Sequence, residues 1–151
     1  MATGKGNSFI TDLLKLLFQN TNIANLGDAT GVRGSGAAGN LYLSLHTADP
    51  GAGGSQTTSE AAYTGYARVA VPRSSGGFTV TAQTVTLAAL TSFPQCTAGS
   101  PASPEVEAYV AIGRDATGAG EILYRAQLSA NINVSIGVTP QITTATGLTE
   151  S

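Results

Sequence analysis

Leu41-Tyr42-Leu43-Ser44-Leu45-His46 alternates apolar and polar side chains, the spacing of a strand that buries one face and wets the other. Thr47-Ala48-Asp49-Pro50-Gly51 follows with turn chemistry and stops it. The same grammar recurs downstream. Tyr66 to Val71 sets Ala67, Val69 and Val71 on one side before Pro72, Phe78 and Val80 alternate with Thr79 and Thr81, and Val85 and Leu87 alternate with Thr84 and Thr86. In the second half Val106, Ala108, Val110 and Ile112 alternate with Glu105, Glu107, Tyr109 and Ala111. Asp115 to Gly120 supplies a turn, so a hairpin returning along Glu121 to Leu128 is expected. Ile132, Val134, Ile136 and Val138 form a further strand with Asn131, Asn133 and Ser135 outward, and a last strand runs from Gln141 to Leu148. Short strands separated by Gly, Pro and Ser turns, with no helices between them, predict an all-β, single-domain β-sandwich or jelly roll.

One helix precedes the strands. Ser8 is placed to cap a helix from Phe9 to about Gln19, in which Phe9, Ile10, Leu13, Leu14, Leu16, Leu17 and Phe18 are apolar. Thr11, Asp12, Lys15 and Gln19 make one narrow polar stripe, so most of the cylinder seeks cover. Those seven apolar residues are the candidate interface, to be met either by the chain's own sheet or by a neighbouring subunit. The segment from Asn20 to Gly39 ends in Gly31-Val32-Arg33-Gly34-Ser35-Gly36-Ala37-Ala38-Gly39 and reads as a flexible arm. It lacks the Gly-Lys-Ser/Thr ending of a phosphate loop. The expected division is a helix and Gly-rich arm over 1–39 and a β domain over 40–151.

At 151 residues the chain can bury about two-thirds of its unfolded surface without a metal or disulfide. Charged residues make up 11% of it, against about 25% in an ordinary soluble domain, and Gly, Ser and Thr take their place. A charge-poor surface is easily desolvated, which suits an assembled subunit and a homo-oligomer. The net charge of −2 and the scatter of its basic residues leave no run to neutralise a phosphate backbone, so no direct nucleic-acid partner is expected. Phe9 to Phe18 is too short to span a bilayer and Asp12 and Lys15 interrupt it, so no membrane association is expected.

Candidates for chemistry are few. His46, the single histidine, lies three residues before Asp49, and the alternatives are a catalytic base or a strand-end histidine bonded to the following loop. One histidine and one cysteine, Cys96, cannot make a zinc site, and Asp28, Asp49 and Asp115 stand apart, without a calcium-loop pattern. Glu105 and Glu107 project from one strand in one direction, unlike a glycosidase pair, and read as a solvated face. Tyr63, Tyr66, Tyr109 and Tyr124 form a sugar platform or pack inside. No catalytic residue, metal or cofactor is expected, and the chain is expected not to be an enzyme.

Leu41 to Gly51, then Glu60, then Tyr63-Thr64-Gly65-Tyr66-Ala67-Arg68-Val69-Ala70-Val71-Pro72-Arg73, resembles a family of small tailed-phage virion structural proteins. Gly120-Glu121-Ile122-Leu123-Tyr124-Arg125 and Ile136-Gly137-Val138-Thr139-Pro140-Gln141 fit the same pattern. The resemblance implies a capsid cement or decoration protein that clamps major capsid subunits, made in the host cytoplasm and carried on the outer surface of the capsid. Its alternative is a tail-fibre or minor tail component involved in host attachment. It carries no catalytic residues to transfer.

Overall fold

The computed structural model describes residues 4–28, 30–98 and 104–150. Among the described residues one helix, Asn7–Gln19 (α1), is followed by nine strands: Asn40–His46 (β1), Val69–Pro72 (β2), Phe78–Thr81 (β3), Thr84–Leu87 (β4), Thr91–Ser92 (β5), Glu105–Gly113 (β6), Ile122–Val134 (β7), Gln141–Ile142 (β8) and Gly147–Thr149 (β9). The all-β class with one N-terminal helix is as expected. The strands form sheets ordered β2-β1-β6-β7, β3-β4-β9 and β5-β8. No helix among the described residues is long and apolar enough to cross a membrane.

The expected division at residue 39 is replaced by two interleaved units. The first gathers Met1–Asn40, Val71–Leu90 and Thr143–Ser151, and the second gathers Leu41–Ala70 and Thr91–Ile142. The helix is therefore one wall of a small core with later strands rather than a separate attachment.

In the first unit α1 packs on the β3–β4 hairpin, with Phe18 edge-on to Phe78 at 5.0 Å between ring centroids. Ile10, Leu14 and Phe18, one residue per turn along one face, are buried, as are Phe78, Val85 and Leu87. Polar helix residues also grip the hairpin. Thr11 Oγ1 donates to the Ala82 carbonyl at 2.9 Å and Gln19 Nε2 to the Phe78 carbonyl at 2.8 Å. The helix starts earlier than expected, with Gly6 at the N-cap and no side-chain cap, so Ser8 lies inside the first turn. Its end is closed by Asn20 in the left-handed conformation at φ 56°, with Thr21 N–H donating to the Lys15 carbonyl at 3.1 Å. Arg73 then supplies the cation that this terminus lacks in its own sequence, donating to the Leu17 carbonyl at 2.8 Å and the Leu16 carbonyl at 2.9 Å.

The expected flexible arm is tied down. Ile23 is buried and pairs with Val32 in an antiparallel bridge, and Asn20 exchanges hydrogen bonds with the Ser35 backbone. The glycines allow this closeness: a Cβ on Gly31 would overlap the Ile23 carbonyl, and one on Gly34 would overlap Asn20. Glycine density here serves close approach between backbone segments, which composition alone does not distinguish from looseness.

In the second unit β1, β6 and β7 are antiparallel neighbours. The β6–β7 hairpin forms as expected, but the two strands expected over 121–138 are one strand ending at Val134. Ile136 falls beyond it, 64% exposed. Tyr66, Ala67 and Arg68 precede β2 rather than opening it, and the last expected strand splits into β8 and β9. Two further corrections concern faces. On β1 Leu41, Leu43 and Leu45 are buried as expected, but so are Ser44 and His46. On β6 both faces carry buried residues: Val110 is inside as expected, but so are Glu105, Glu107 and Ala111, while Val106 is 38% exposed. Beside these residues runs an irregular segment, Ser59 to Tyr66, bonded along the edge of β1 through Ala61 N–H to the Leu45 carbonyl and, just past the strand, Thr47 N–H to the Ser59 carbonyl, both at 2.8 Å, and bonded to Glu105 through the Ala62 amide.

Candidate functional site

Polar side chains of the second unit gather beside that segment. In an antiparallel pair, residues directly opposite share a face, and the register sets Ser44 against Ala111 and His46 against Tyr109. Ser44 and His46 therefore lie on the same side of the sheet as Glu107 and Glu105. Ser44, His46 and Glu107 are each at 0% exposure and Glu105 at 7%.

His46 is held between two partners. Its Nδ1 lies 2.9 Å from the Thr58 carbonyl, which only accepts, so Nδ1 carries the hydrogen and Nε2 accepts from Ser44 Oγ at 2.8 Å. Burial, above all, lowers its pKa below the ordinary histidine value and keeps the ring neutral. This is the strand-end histidine bonded to the following loop. A hydroxyl donating to an imidazole is also the first step of a nucleophilic site, but here both side chains are sealed and Asp49 is elsewhere, bonded to Arg125 at 2.6 Å.

Beside it runs an ionic clip that sequence reading did not single out. Arg68 grips Glu60 with two hydrogen bonds, Nε to Oε1 at 2.6 Å and Nη2 to Oε2 at 2.8 Å. The same guanidinium donates to the Asp115 carbonyl at 3.0 Å and the Gly118 carbonyl at 2.7 Å, which fastens the β6–β7 turn. Tyr66 completes the link by donating to Glu60 Oε1 at 3.0 Å and accepting from the Leu45 amide at 3.1 Å. Gln56 secures the turn from its other side: Gly113 and Gly120 leave room for its amide, and its Oε1 accepts from the Asp115 amide at 3.0 Å. The available signal was the pairing of a lone acid and a lone base eight residues apart in a charge-poor chain.

The glutamate pair is the other unanticipated feature. Glu105 Oε1 accepts from the Ala62 amide at 2.6 Å, whereas Glu105 Oε2 and both Glu107 oxygens have no hydrogen-bond donor among the described residues. Burial first, and then the adjoining Glu105 carboxyl, push Glu107 up to about 8. Glu107 is thus a neutral acid at pH 7. Near it Tyr63 is 2% exposed and donates to the Pro94 carbonyl at 2.9 Å, its phenol raised by burial and by both glutamates.

The remaining candidates do not gather. Tyr63 packs edge-on to Tyr66 at 5.3 Å, while Tyr109 and Tyr124 lie on opposite faces, since Tyr124 stands opposite Ile112. Cys96 is buried and donates its thiol hydrogen to the Ala98 carbonyl at 3.1 Å. Among the described residues no three His, Cys, Asp or Glu side chains converge as a metal would need. Asp28 caps its own loop through the Thr30 and Gly31 amides at 2.7 and 3.0 Å.

The seven-residue helix interface divides in two. Ile10, Leu14 and Phe18 are used by the chain's own core, a correction to their place in a docking surface. Phe9, Leu13, Leu16 and Leu17 form a second stripe on the adjoining flank, with Phe9 41% exposed and the three leucines half-buried. Leu26, Val32 and Leu90 are further exposed apolar residues of this unit, at 44%, 40% and 53%.

Residues 12–148 match the family model described as Podophage GP4 fiber I protein gp80. No curated protein matches the chain.

Proposed function

The chain belongs to the podophage GP4 fiber I protein gp80 family, a fibre-type group of phage virion structural proteins, and from that premise we propose that it is a non-enzymatic fibre subunit that works by packing against its neighbours. The observation that carries this reading is the family match across 12–148, nearly the whole of both units. It favours the tail-fibre alternative over the capsid cement role, for which neither the family nor the fold offers specific support. The partners are other copies of this chain or other virion proteins, and host attachment is the assembly's task rather than that of a catalytic cleft.

The structure supports an assembly role in two ways. Several of its polar groups with chemical potential, Ser44, His46, Glu105 and Glu107 among them, are turned inward, and few charges are left for the exposed surface. Its helix carries a second apolar stripe that the chain's own core leaves partly exposed. Burial of apolar area contributes about 25 cal/mol per Å², so a stripe of this kind repeated at every subunit contact gives an assembly considerable cohesion.

The stripe brings its own control. Phe9→Asp and Leu13→Asp are expected to remove the protein from purified particles while leaving its thermal unfolding close to wild type, whereas Leu14→Asp is expected to unfold it. Normal incorporation of a folded Phe9→Asp, Leu13→Asp double variant would remove the helix from the assembly role.

A further inference from the structure

We propose that Glu105 and Glu107 form a proton-held latch, which keeps the Ser59 to Tyr66 segment bonded to the sheet while Glu107 is protonated and releases it when Glu107 ionises. The geometry is that of two buried acids on one strand face, Glu105 bonded to the Ser59 to Tyr66 segment through the Ala62 amide and Glu107 close to Tyr63 of the same segment, with that single backbone donor between them. Glu105 takes that donor, the Ala62 amide, and so holds the segment directly. Glu107 has no compensating donor among the described residues, and a second negative charge there meets both desolvation and the charge of Glu105.

The surroundings offer no counter-charge to relieve it. Across β7, Glu107 faces Ile132 and Glu105 faces Val134. From the Ser59 to Tyr66 segment the titratable neighbour is Tyr63, and Cys96 approaches behind it; both groups gain only negative charge on ionising. From β1 the nearest titratable side chain is His46, which stands opposite Tyr109 and is neutral between Ser44 and Thr58. The cations of the layer are engaged elsewhere: Arg68 is bound by both oxygens of Glu60, and Arg125, which stands opposite Ala111 on the same face of β6 as the two glutamates, is bound by Asp49.

The sign follows from proton counting. The folded state holds a proton on Glu107 up to about pH 8, and an unfolded glutamate releases it near 4.5. Stability from this pair is therefore full below the lower value and falls as pH rises through that window. The strain falls first on the segment bonded to Glu105. Release of that segment also loosens the β6–β7 turn, because Glu60, inside it, anchors Arg68.

Amide exchange at Ala61 to Tyr63, corrected for its intrinsic pH dependence, tests the latch between pH 6.5 and 9.5. Protection in the full-length protein is expected to fall at least tenfold, while in Glu107→Gln it stays level and helix α1 is unchanged in both. Equal loss in wild type and Glu107→Gln would overturn the proposal, as would loss spread evenly over the chain. If the variant fails to fold, carboxyl carbon chemical shifts of the wild-type protein decide: one buried glutamate titrating above pH 7 supports the latch, and both titrating near 4.5 refutes it.

Discussion

Arg68 shows how a chain with few charges uses one of them. Its side chain is 3% exposed and that of Glu60 15%, so each would be a poorly solvated lone charge without the other. Removal of one partner from a buried pair costs about 3–5 kcal/mol, because the remaining charge loses its compensation. Arg68→Ala is therefore expected to lower the unfolding temperature far more than Arg114→Ala, whose pair with Glu121 is about 60% exposed on both sides. Arg68→Lys should recover only part, since a lysine cannot reproduce the paired bonds to Glu60 together with those to the 115–118 turn. Scanning calorimetry of the three variants checks the order, and an Arg68→Ala protein as stable as wild type would show that the clip is dispensable. Only the lone acid and lone base eight residues apart were legible beforehand, and their pairing was not, because the 60-to-68 loop brings the two residues together without any periodic pattern.

At the scale of elements, the strand order along the chain was largely readable and the faces were not. Period-two alternation locates β1, β3, β4 and β6 because a pleated strand imposes it whatever covers each side. The side that is buried depends on the rest of the fold, and here the irregular Ser59 to Tyr66 segment bonds to the edge of β1 and to Glu105. Ser44, His46, Glu105 and Glu107 consequently lie inside, where composition would place them outside. The helix was legible for the same reason as the strands, while its partition into two stripes was not: seven apolar residues are indistinguishable until the β3–β4 hairpin selects three of them. That partition has a measurable consequence. Leu14→Ala should destabilise the protein by about 2–5 kcal/mol in denaturant melts, as a core truncation does, and Phe9→Ala by less than about 1 kcal/mol. Equal costs would mean that Phe9 is as much a core residue as Leu14.

At the scale of the molecule, composition and resemblance pointed to a virion subunit, and the family match made it a fibre-type one. Charge depletion, inward-turned polar groups and the partly exposed helix stripe are all consistent with a protein whose working surface is its contact with neighbours. Where in the virion those neighbours lie is the central question. Gold-labelled antibody against the protein, imaged on purified particles with copy number counted by mass spectrometry, answers it directly. The expected result is label confined to fibres at a few copies per fibre. Label spread over the head at hundreds of copies per particle would contradict the fibre assignment and restore the cement role.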